Sequence, residues 1–125
     1  TYAVETFGNI DAGLSDWVKN TYEPCLVKEM NKKQSPIFPY VSFKNWHDPR
    51  SGLIRGVGTP MISQGYTALQ NRVGLLIETH MLKAYKPRVF ATCDLIIATL
   101  ESMNQSAENL QALNSNADQL MKSNK

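Results

Sequence analysis

The chain has only two cysteines, Cys25 and Cys93, and it contains no Cys-x-x-Cys, His-Glu-x-x-His or His-x-x-Glu spacing. Two thiols that far apart define no disulfide framework. Both fall in apolar phase with their neighbours and read as buried free thiols. A zinc site needs three or four converging His, Cys, Asp or Glu side chains. His47, Asp48, Glu78 and His80 make only a weak case for one, and no metal ligand is assigned. Long apolar runs are absent too; none approaches the roughly twenty residues that span a bilayer, which predicts a soluble chain without a membrane span. Charge of one sign is also lacking. Thirteen Lys and Arg stand against eleven Asp and Glu, a net charge of +2, too little for the basic patch that phosphate-backbone binding uses, so nucleic acid is not expected as a partner. There is no glycine-rich phosphate loop and no nucleophile elbow. The opening Thr1-Tyr2-Ala3-Val4 has no initiating Met, basic region or apolar leader, and the expectation is a chain that starts inside a longer protein.

What is present suffices for a modest core: 125 residues, 42% of them hydrophobic, fit one domain or part of one. After a polar lead-in, Asp11 is placed to cap a helix whose Leu14, Trp17, Val18, Cys25, Leu26 and Met30 recur at helical spacing. Pro24 predicts either a kink near Asn20-Thr21 or two short helices with Pro24 at the start of the second. Residues 37–43 have strand composition, with Pro39 confining them to a sheet edge or a strand start. Residues 44–65 carry Pro49, Gly52, Gly56, Gly58, Pro60 and Gly65, which predicts a long loop, and its Trp46, His47, Asp48, Arg50 and Arg55 favour a functional one. From Pro87 onward Val89, Cys93, Ile96, Leu100, Met103, Ala107 and Leu110 predict an amphipathic helix. It reads as one helix of about 50 Å fraying at its end, the alternative being two helices separated near Ser102–Ser106.

Gly74-Leu75-Leu76-Ile77-Glu78-Thr79-His80 is the most telling stretch. A short apolar run bounded by Gly74 and polar residues reads as a strand buried on both faces, as in a parallel sheet. Glu78 then stands at the carboxyl end of that strand, where ligands of such sheets gather, with His80 two residues on and on the same face. Two readings are level on the residues alone. Glu78 is a general base, or it ends the strand in solvent or pairs with a cation such as Lys83. Arg72, just before the strand, can grip a carboxylate through two hydrogen bonds, whereas Arg50 and Arg55 read singly as solvated surface. Tyr66 offers a hydroxyl to a substrate, or packs as an ordinary aromatic at a loop base.

The run Gly65-Tyr66-Thr67-Ala68-Leu69-Gln70-Asn71-Arg72, followed by Gly74 to His80, resembles the C-terminal part of bacterial zinc metallocarboxypeptidases of the carboxypeptidase A-like family. The element order over residues 11–103 is similar to theirs. The resemblance implies an α/β fold class: a fragment of a mixed sheet flanked by helices with a long C-terminal helix, residues 1–125 being the C-terminal part of a single catalytic domain and residues 104–125 a helical tail. It implies Glu78 as general base and acid, Tyr66 and the 46–64 loop on the substrate side, and a peptide as substrate. It also implies zinc in a full-length parent but none in this chain, since the family's zinc ligands and its carboxylate-binding Arg would lie before Thr1. His47, after the first helix, is in the wrong order to be one of them. The isolated chain is then inactive, and the family's setting is secreted or periplasmic. The rival reading is a non-catalytic α/β interaction domain that self-associates through its C-terminal helix. A sheet cut from a parent exposes strand edges, so a homodimer through those edges or that helix is expected in either case.

Overall fold

The computed structural model of the protein describes residues 1–8 and 10–123. In chain order it contains β1 (Tyr2–Val4), α1 (Ala12–Trp17), a π-helical turn (Val18–Tyr22), α2 (Glu23–Lys32), β2 (Ser42–Asn45), β3 (Asp48–Ile54), α3 (Ser63–Leu69), β4 (Leu75–Ile77), α4 (Tyr85–Gln105) and α5 (Ala107–Ser123). The arrangement is mixed α/β: two small antiparallel two-stranded sheets among helices, ending in a long C-terminal helix.

Asp11 caps α1 as its position predicts, its carboxylate accepting from Gly13 N–H at 2.9 Å and Leu14 N–H at 3.3 Å. Pro24 has no N–H to give, and its ring would collide with the carbonyl four residues back in a regular helix. The chain widens instead into the π-turn, where Glu23 N–H reaches the Val18 carbonyl, and α2 continues with Pro24 in its first turn. In an α-helix, residues five apart are splayed by about 140°. The wider turn brings Trp17 and Tyr22 onto one side, where they stack with centroids 5.2 Å apart. Those two rings, with Val18, Leu26, Met30, Tyr2, Val4, Leu95 and Ala98, form the main core. A second cluster joins Leu14 to Ile10, Ala68 and Ala117, so α5 lies on α1 and α3.

Four expectations are corrected. The strand after Gly74 is in an antiparallel pair, not a parallel sheet: Tyr2 lies opposite Ile77 and Val4 opposite Leu75. Its residues are half-buried rather than covered on both faces. The lead-in Tyr2-Ala3-Val4 supplies that partner strand. Along the other side of β1, residues 38–40 add a parallel bridge, with Tyr2 N–H donating to the Phe38 carbonyl at 3.0 Å and Tyr40 N–H to the Tyr2 carbonyl at 2.7 Å. Pro39 sits between those two bonds, where no donor is asked of it.

The 44–65 loop is, secondly, half a β-hairpin. β2 and β3 join through the Trp46-His47 turn, with His47 at a φ of 70°. Pro49 and Gly52 are tolerated because both strands are largely exposed edges. Thirdly, the expected single helix is two, α4 and α5, parted at Ser106 (φ −110°, ψ 16°), and the last two positions of the expected tail, 124 and 125, lie outside the described residues. The buried face of α4 is Leu95, Ala98 and Ser102, while Val89, Cys93, Ile96 and Leu100 are exposed. The two thiols, lastly, are not both buried: Cys25 is half-buried and Cys93 exposed, both free.

Candidate functional site

Glu78 directly follows the last residue of β4, and its N–H still pairs with the Thr1 carbonyl at 2.9 Å. Two glycines let the preceding chain reach this place. A Cβ on Gly74 would stand 2.1 Å from the Thr67 Oγ1, and one on Gly65 would stand 2.2 Å from the Thr59 carbonyl oxygen. Real side chains do not show such distances, so glycine at 65 lets α3 lie against the backbone of residues 58–59, and glycine at 74 lets the approach to β4 lie against Thr67 of α3.

Beyond Glu78 the chain turns at His80–Lys83 and enters α4. The turn is held by Lys83 N–H on the His80 carbonyl at 3.1 Å and by Leu82 N–H on the His80 Nδ1, also 3.1 Å. A neutral imidazole whose Nδ1 accepts carries its proton on Nε2. His80 is thereby fixed in orientation with a donor on its free side.

Glu78 and His80 open onto a cleft of about 450 Å³. Residues 34–38 form one wall, Ile77 to His80 with Lys83 another, and Arg88, Ala91 and Leu95 of α4 the third. Among the described residues Glu78 has no ion-pair partner within 4 Å, Lys83 included. The Arg88 Nε is buried and has no hydrogen-bond acceptor. Its guanidinium lies 6.0 Å from the Tyr85 ring centroid. The cleft therefore combines a free carboxylate, two cations and an imidazole donor, a set able to take a proton at Glu78 and to hold a carbonyl or carboxylate oxygen at Arg88.

The other site candidates lie elsewhere. Tyr66 stands on α3, 58% exposed, and does not line the cleft. Arg72 donates two hydrogen bonds to Asp118, at 3.0 and 2.9 Å, and further bonds to the carbonyls of Asn71 and Gln70. It staples α5 to the turn before β4, and the pairing holds the Asp118 carboxyl below the usual carboxylate range. Arg50 is on the surface beside Asp48. Arg55 departs from its expected place in solvent: it pairs with Glu23 and donates to the Val4 carbonyl at 2.9 Å, tying the end of the hairpin to α2 and β1. His47 and Asp48 are on the hairpin and take no part in the cleft.

Sequence reasoning missed Arg88 and the wall formed by residues 34–38. Its only available signal was Pro87, which falls in the first turn of α4 and so places position 88 at the start of that helix. Among the described residues no three His, Cys, Asp or Glu side chains converge as metal ligands would, so the residues present do not by themselves fit a zinc ion. The chain matches no protein-family description, no curated protein and no solved structure.

Proposed function

We propose that this chain is the glutamate-bearing part of a zinc carboxypeptidase-like hydrolase acting on peptide bonds, with Glu78 as its general base. The supporting observation is the position of Glu78: directly after β4, without an ion-pair partner among the described residues and opening onto a cleft that also holds His80, Lys83 and Arg88. The likeness of residues 65–80 to the metallocarboxypeptidase run supports the same residue.

In this reading the Glu78 carboxylate takes a proton from the attacking water as the water oxygen bonds to the scissile carbonyl carbon. It then returns that proton to the amine nitrogen as the carbon–nitrogen bond breaks. The Arg88 guanidinium, on the cleft wall, offers a donor to an oxygen of the bound peptide. The resemblance puts the zinc ligands elsewhere in the parent hydrolase and Tyr66 and Arg72 on its substrate side; neither of these two side chains lines the cleft.

A calorimetric titration of the 125-residue chain with zinc tests the division of labour. No binding is expected. Tight one-to-one binding would mean that Glu78, His80 and His47 rearrange into a self-contained metal site, and would overturn the assignment of Glu78 as a free base.

A further inference from the structure

Helix α4 is apolar on two opposite faces. Leu95, Ala98 and Ser102 face the core, while Phe90, Cys93, Ile97 and Leu100 are exposed, Phe90 at 57% and Leu100 at 61%. The exposed four recur at alternating three- and four-residue spacing, the seam of a two-helix coiled coil. At 3.6 residues per turn this seam lies across the helix axis from Arg88, Ala91 and Leu95, the residues that line the cleft.

We propose that this seam is the docking site for a second copy of this chain, with the two α4 helices antiparallel about a two-fold axis level with residue 95. Charge selects that occupant and that direction. Lys86 lies on the seam side at the start of α4, while Lys83 and Arg88 belong to the cleft behind it, and the end of α4 carries Glu101, with Glu108 just beyond. Asp94, in the middle, is already paired with Lys33 at 3.0 Å, so no unpaired acid interrupts the seam.

An antiparallel copy sets Phe90 against Leu100 and Cys93 against Ile97, and lays the Lys86 end of one helix beside Glu101 and Glu108 of the other. It also opposes the two helix dipoles. A parallel copy would place like charge on like. The contact is isologous and closes at two, and because it uses the face opposite the cleft it leaves Glu78 accessible. The inference does not rest on the catalytic reading.

Sedimentation equilibrium of the full chain, run over micromolar to millimolar concentrations, is expected to show a monomer–dimer equilibrium. Ile97→Glu should give a monomer with an unchanged circular dichroism spectrum, since position 97 is exposed. Glu101→Lys should weaken the dimer about ten-fold, and adding Lys86→Glu should restore it. Mild oxidation of Ile97→Cys should give a disulfide-linked dimer through Cys93 and the new thiol, whereas the unaltered chain should not cross-link. A monomer throughout the range, a dimer insensitive to Ile97→Glu, or ready linking of Cys93 to Cys93 in the unaltered chain would each overturn the proposal.

Discussion

Tyr22 shows how much one residue carries here. Its ring is fully buried against Trp17, and its hydroxyl donates to the Thr99 Oγ1 at 3.2 Å. Burial pushes its pKa above the ordinary tyrosine value, and the Tyr2 hydroxyl is raised for the same first reason, with Glu23 adding to it. A pKa raised in the folded state means stability that is complete below the unfolded value of about 10 and lost as pH rises through the folded value. Urea unfolding from pH 8 to pH 11 is expected to show that loss, and Tyr22→Phe to make it shallower. At pH 8 the variant should cost only about 1 kcal/mol, since Thr99 keeps its bond to the Leu95 carbonyl. Residue identities foretold such roles unevenly. Asp11 was legible as a cap because capping is local chemistry. Arg55 and Arg72 were not, because their partners Glu23 and Asp118 lie 32 and 46 residues away in sequence.

Among the elements, α1 and α2 were the most legible, since Leu14, Trp17, Val18, Leu26 and Met30 are all buried on the face their spacing marks. Asp11→Ala is expected to cost about 1 kcal/mol by freeing two N–H groups at the start of α1, and Leu14→Ala about 2–5 kcal/mol by leaving a cavity between α1 and α5. Thermal unfolding of the two variants checks both values and their order. β1 escaped notice because three residues are too few to display a period of two. The β2–β3 hairpin escaped because Pro49 and Gly52 signal a break only where a strand is central, and these strands are edges. The α4 periodicity was real, but the helix is apolar on both sides. Spacing therefore gave the helix and not the face, and the stripe from Val89 to Leu100 proved to be the exposed one. The bend at Ser106 has the same origin: α5 turns there to bury Ala117 on Leu14 and Ala68, a tertiary demand that local pattern does not record.

For the molecule as a whole, the coarse α/β class was readable from the order of elements, while the cleft was not. It is assembled from Thr1, from residues 34–38, from the β4 end with its turn, and from the first half of α4, four segments that meet only after folding. Glu78 was visible in advance because an apolar run stopping on a carboxylate is a local pattern, whereas Arg88 needed the α4 geometry to bring it to the same place. The central claim is that Glu78 moves the proton in peptide hydrolysis. Its most direct test is the kcat of Glu78→Gln against the unaltered glutamate, with a C-terminal peptide substrate, in the longest polypeptide that contains residues 1–125. The account predicts a fall of about 10² to 10⁴-fold with the circular dichroism spectrum and melting temperature unchanged; hydrolysis at an undiminished rate would contradict it.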